Sequence, residues 1–189
     1  MRIPIGISNR HIHLSQIDAD KLFGKGYEFK VLKNLSQPGQ FAYEETVVIK
    51  GPIGEIKNVR ILGPVRKQTQ VEIFVTDNYI LGCNAPIRLS GDLKGSESLT
   101  VIGPKGSVYL QEGVIIAKRH LHITQSEADD RGLKNNQKIK IKTNNGERGL
   151  IFDNVLVRIT DSSALDFHID MEEANASGLK MGDWGEIIK

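Results

Sequence analysis

The chain has 189 residues, 39% of them hydrophobic, which is enough for one large or two small globular domains with a real core. Lys plus Arg exceeds Asp plus Glu by only two, which argues against a nucleic-acid binder, and no stretch approaches the ~18–20 apolar residues of a membrane span. The single cysteine, Cys83, excludes an internal disulfide, and the opening "MRIPIGISNRH" lacks the apolar region and cleavage site of a signal peptide, so a cytoplasmic protein is expected.

The first elements lie in "NRHIHLSQIDAD", residues 9–20, where His11 and His13 alternate with Ile12 and Leu14. Side chains at i and i+2 of a strand share a face, so the two imidazoles project together while the aliphatic pair projects oppositely into a core. Ser15 with Asp18 then reads as a capping box that opens a helix over 15–23. Next come "ETVVIKGPIGEIKNVRILG", "TQVEIFVTDNYILG" and "SLTVIGPKGSVYLQEGVIIA", short β-rich runs broken by glycine, the pattern of β-barrels or sandwiches. At 118–129, "KRHLHITQSEAD" restates the strand, cap and helix signal, with Thr124 and Glu127 as the capping box of a helix over 124–131. In "QKIKIKTNNGERGLIFDNVLVRIT" the lysines of 138–142 mark a solvent face and "TNNGERG" a hairpin turn. A third helix over 171–178 and a last strand in "DWGEIIK" complete the series.

Aligning residues 10–20 with 119–129 gives six identities in eleven positions, four conservative changes and one discordance, Ile17 against Ser126. The strand-cap-helix unit is therefore duplicated, and two such strands in a pseudo-symmetric fold would converge His11, His13, His120 and His122. A lone His-x-His is compatible with two surface histidines on a strand edge; a duplicated one points to metal. Only His168, in "LDFHIDMEEAN", lies outside the two motifs. A catalytic zinc takes three protein ligands and keeps an open position, so the five histidines are one ligand short of two such sites. An acid is the natural sixth ligand. Glu72 is the leading candidate, because "TQVEIFV" is a strand pattern that would bury its carboxylate at a cost unless it is paired.

These residues carry a family resemblance. "GISNRHIHLS", "GQFAYEE", "VRILGPVRKQTQVEI", "APIRLSGD", "GVIIAKRHLHIT" and "FHIDMEEANA" resemble the successive blocks of the PduL-type phosphate acyltransferases, or phosphate propanoyltransferases, in order from about residue 4 to 188. The resemblance implies a mainly β protein of two β-barrels capped by short α-helices, one barrel formed by 1–9 with 118–189 and the other by 10–117 with an insert at about 24–44. It implies reversible transfer of a short acyl group, propanoyl or acetyl, between CoA and orthophosphate at two zinc ions, in propanediol or acetate metabolism. His11, His13 and Glu72 are expected to hold one zinc, and His120, His122 and His168 the other. Arg66 matches the arginine that holds phosphate, while Ile7, Ser8, Asn9, Arg60 and Asn175 match CoA contacts. A homodimer is expected on the same ground. Many relatives carry an N-terminal extension that directs them into a microcompartment; this chain has no room for one before its first motif, so a free cytoplasmic enzyme is expected.

The implied chemistry suits the residues. Orthophosphate is already an anionic nucleophile, so the site must position and neutralise it rather than supply a general base, and a guanidinium does both. Zinc polarises a carbonyl and accepts a thiolate, which makes an acyl-enzyme on Cys83 unnecessary. Two rival readings use the same ligands: a dinuclear metallohydrolase acting on a thioester or phosphoester, and a non-catalytic metal-binding module. Acetyl and propanoyl differ by one methylene, worth about 1–3 kcal/mol in an apolar pocket.

Overall fold

The computed structural model describes residues 2–144 and 146–188. In chain order, β1 (Arg2–Ser8) and β2 (His11–Ser15) lead into α1 (Gln16–Phe23), followed by β3 (Val31–Asn34), β4 (Phe41–Lys50), β5 (Glu55–Arg66), β6 (Gln70–Ile73) and α2 (Asp77–Leu81). Then come β7 (Ile87–Arg88), β8 (Glu97–Ile102), β9 (Ser107–Ala117), β10 (His120–Ile123), α3 (Gln125–Asp129), β11 (Lys138–Thr143), β12 (Ile151–Ile159), β13 (Asp166–Asp170), α4 (Met171–Ser177) and β14 (Trp184–Ile188). The fold is mainly β. Among the described residues, no helix is long and apolar enough to cross a membrane.

The chain divides into two compact units, one of residues 1–9, 36–38 and 118–189, the other of 10–35 and 39–117. In the first, six strands close a barrel in the order β1-β13-β10-β12-β11-β14 around Ile3, Ile5, Leu121, Ile141, Val157 and Phe167. In the second, the order is β3-β4-β5-β2-β6-β9-β7, and β8 bridges β4 and β9, so that β4-β5-β2-β6-β9-β8 also forms a ring. Its core gathers Ile12, Leu14, Leu22, Ile61, Val71 and Val114.

The duplicated strands sit in equivalent slots. β2 runs parallel to β5 and antiparallel to β6, and β10 runs parallel to β12 and antiparallel to β13. Ile12 and Leu14 are buried in one core and Leu121 and Ile123 in the other, as the alternation requires. Along β11 the lysines are exposed while Ile139 and Ile141 are buried. The β11–β12 connection contains a 3-10 turn at Gly146–Arg148, while Asn145 of the expected hairpin turn lies outside the described residues.

Local signals differ from the structure at three places. Thr124 and Glu127 form a complete capping box, but α3 stops at Asp129. At Ser15 only half a box forms: its hydroxyl accepts from the Asp18 amide, but its own amide donates to Thr69 Oγ1 at 2.9 Å, and Asp18 Oδ2 accepts from Thr69 Oγ1 instead. "TDNYILG", read with the β-rich runs, is the helix α2, closed by Gly82 in a left-handed conformation.

Candidate metal centres

His11 is the first residue of β2 and faces Glu72 of β6 across the antiparallel ladder, while His13 faces Gln70. The ligand atoms of His11, His13 and Glu72 lie within 4.8 Å of one another, and all three residues are buried. His11 Nε2 lies 3.4 Å from Glu72 Oε2, and the two imidazoles meet edge to face with centroids 5.1 Å apart. Burial, then the neighbouring His11 and Arg66, lowers the His13 pKa to about 2, so this imidazole is neutral. Its Nδ1 is buried without a hydrogen-bond partner. A buried ring nitrogen left unmatched costs roughly 1–3 kcal/mol, and a cation would satisfy it where that nitrogen is the deprotonated one.

A hydrogen-bonded chain stands behind this group. Gln70 Nε2 donates to Glu72 Oε1 at 2.6 Å and to Ser90 Oγ at 2.9 Å, and its carbonyl oxygen accepts from the Gly91 amide at 2.8 Å. Arg66, at the end of β5, donates from Nη1 to Ser90 Oγ at 3.0 Å. Ser90 thus links the arginine to the amide that orients the glutamate.

The second group is built the same way. His120 faces His168 across β10 and β13, and the ligand atoms of His120, His122 and His168 also lie within 4.8 Å. His120 Nδ1 lies 2.8 Å from the Lys118 carbonyl, which can only accept, so Nδ1 carries the proton and Nε2 keeps its lone pair. That Nε2 meets His122 Nε2 at 2.9 Å. His168 Nε2 donates to Asp166 Oδ2 at 2.8 Å, so Nδ1 is the nitrogen left to hold a metal. Burial, followed by the adjacent His120 and His168, lowers the His122 pKa to about 2. His120 and His168, tied through one nitrogen to a carbonyl and a carboxylate, the buried neutral His13 and His122, and the carboxylate of Glu72 are donor types that zinc takes, so both groups fit that ion.

Gly6 makes room for the second group. It pairs with His168 in the β1–β13 ladder, and a Cβ there would lie 2.6 Å from His168 Nε2 and 2.7 Å from Asp166 Oδ2. Asp166 is further held by Ser36 Oγ at 2.7 Å.

Among the other expected site residues, Ile7 and Ser8 lie on β1 beside Ile169 and Asp170, and Asn9 is exposed just after it. Arg60 pairs with His11 in the β2–β5 ladder and donates to the Tyr43 and Glu44 carbonyls. Asn175 is exposed on α4, and its backbone oxygen accepts from Arg148. Cys83 is half-buried with its thiol directed at Asn78 Oδ1, and burial, then Glu97, pushes its pKa up, the opposite of an activated nucleophile. Sequence reasoning passed over Gln70, Ser90, Gly6 and Asp166. Asp166 and Gln70 carried a signal, since each stands at i−2 to a candidate ligand, His168 or Glu72, on the same strand face.

Residues 4–180 match a family model described as phosphate propanoyltransferase. The chain is similar to proteins named phosphate propanoyltransferase from Thermotoga maritima (51% identical over 187 residues, 99% of this chain and 89% of that protein) and Rhodopseudomonas palustris (49% over 188 residues, 100% and 83%). A protein of the same name from Listeria monocytogenes is 47% identical over 187 residues, covering 99% of this chain and 87% of its own length.

Proposed function

We propose a function from one premise: this chain belongs to the phosphate propanoyltransferase family. It is an acyltransferase, and the reaction is acyl-CoA plus orthophosphate to acyl phosphate plus CoA, reversibly, with propanoyl or acetyl as the acyl group at a dinuclear zinc site. The observation that carries this reading is the pair of three-ligand groups, each built on one copy of the duplicated strand. We assign His11, His13 and Glu72 to one zinc and His120, His122 and His168 to the other.

When bound, zinc supplies Lewis-acid polarisation of the thioester carbonyl and a favourable partner for the departing thiolate. The chain's own residues do the rest. Arg66 holds orthophosphate with its planar fork, and Ser90, itself held by Gln70, steadies one arm of that fork. A phosphate oxygen attacks the acyl carbon, the carbon–sulfur bond breaks, and the electron pair leaves on the CoA sulfur. No side chain has to remove a proton from an anion, and His13 and His122, held neutral, are unsuited to donate one. Ile7, Ser8, Asn9, Arg60 and Asn175 are assigned to CoA. Cys83 has no part, and no acyl-enzyme forms.

The reverse reaction tests the reading. Protein supplied with propanoyl phosphate and CoA should form the thioester and release orthophosphate in equal amounts, and should lose this activity on treatment with a strong chelator and regain it with zinc. Release of orthophosphate without thioester would identify a hydrolase instead.

A further inference from the structure

The two ligand groups share more than their histidine pairs. Glu72 and His168 occupy the same place, each directly across an antiparallel ladder from the first histidine of its motif. Two residues beyond each of them, a backbone amide donates to a carboxylate that stands five residues beyond. The Phe74 amide donates to Asp77 Oδ2 at 3.0 Å, and the Asp170 amide to Glu173 Oε2 at 3.2 Å. In both units that same carboxylate grips the arginine immediately before the first histidine. Arg10 Nε and Nη2 each lie 2.9 Å from Asp77, and Arg119 Nε lies 2.7 Å from Glu173. Each guanidinium also lies over a phenylalanine ring, Arg10 over Phe74 at 4.5 Å and Arg119 over Phe152 at 5.4 Å.

The location of this tie matters. His11 and His120 are the first residues of β2 and β10, where a ladder constrains a strand least, yet metal ligands must be held to within about 0.5 Å. A carboxylate anchored at the end of β6 or β13 and bonded to the residue preceding the histidine fixes the strand start to the strand that carries the third ligand. We propose that Asp77 and Glu173 are equivalent positioning residues, each holding one metal-ligand triplet in register through the arginine beside its first histidine. This rests on the metal reading given above. Neither acid belongs to a ligand group, and the equivalence extends the duplication beyond the histidine motif to a two-strand unit, with "EIFVTD" at 72–77 answering "HIDMEE" at 168–173.

The test uses the full chain loaded with cobalt(II), which reports its coordination in the visible spectrum. In a His122→Ala background, Asp77→Asn should weaken the remaining cobalt about 10–100-fold in competition with a chelator and change its absorption band, while Glu173→Gln should do neither. In a His13→Ala background the two roles should exchange. Arg10→Lys and Arg119→Lys, whose side chains are 31% and 36% exposed, keep the charge but lose the fork, and should give the same pattern more weakly even if a carboxylate variant fails to fold. Variants that lose thermal stability but keep the parent cobalt affinity and spectrum would reduce these acids to structural ion pairs and overturn the proposal. Wild-type protein that binds no cobalt or zinc would overturn the metal reading and this proposal with it.

Discussion

His122→Ala should lower zinc content from two ions per chain to one and slow turnover by on the order of a thousandfold. His122 is buried, is held neutral by burial and by its neighbours His120 and His168, and presents Nε2 to His120 Nε2 at 2.9 Å. Its removal leaves His120 and His168 as two nitrogen donors, one fewer than a catalytic zinc takes from protein. A bound metal contributes several kcal/mol of charge stabilisation in the transition state, and about 4 kcal/mol corresponds to a thousandfold in rate. Elemental analysis and thiol release measured on one preparation check both halves of the expectation. A variant that keeps both ions and the parent rate would remove His122 from the ligand set.

The second large effect is expected at Arg66. Arg66→Lys should raise the KM for orthophosphate about tenfold to a hundredfold, with zinc content and the KM for acyl-CoA nearly unchanged. A hydrogen bond to a charged group is worth about 1.5–3 kcal/mol, and each 1.4 kcal/mol is tenfold in affinity. Arg66 gives one arm of its fork to Ser90, at 3.0 Å, and a planar guanidinium offers an anion a geometry that an ammonium does not. A lysine ammonium at this position reaches less far and has no fork, so it must choose between the serine and the phosphate. Phosphate titrations at saturating acyl-CoA supply the measurement. An unaltered phosphate dependence would move the anion site away from Arg66.

The candidate site was readable in the sequence where its logic is local. The alternation in "HIHL" and "HLHI" placed four imidazoles opposite two aliphatic pairs, and the buried Ile12, Leu14, Leu121 and Ile123 satisfy it. The supporting residues were not readable, because cross-strand register rather than spacing gives them their work. Gln70 reaches Ser90, 20 residues away, and Gly6 earns its place only against His168 on a paired strand. The half-formed cap at Ser15 fails for the same reason, since Thr69, 51 residues from Asp18, takes the carboxylate that the local pattern reserved for the cap amide. The helix α2 was hidden because "TQVEIFVTDNYILG" carries β-forming residues on either side of Asp77, and the carboxylate that receives the Phe74 amide marks the turn only once the strand end is known. The equivalence of Asp77 and Glu173 stayed concealed because the residue that registers each copy is a glutamate in one and a histidine in the other.

Thiol release from propanoyl-CoA in matched reactions with and without orthophosphate separates acyl transfer from hydrolysis. CoA should appear only when orthophosphate is present, with one acyl phosphate formed for each thiol released. Release at the same rate without orthophosphate, yielding free propanoate, would contradict it and make the two ligand groups the centre of a thioester hydrolase.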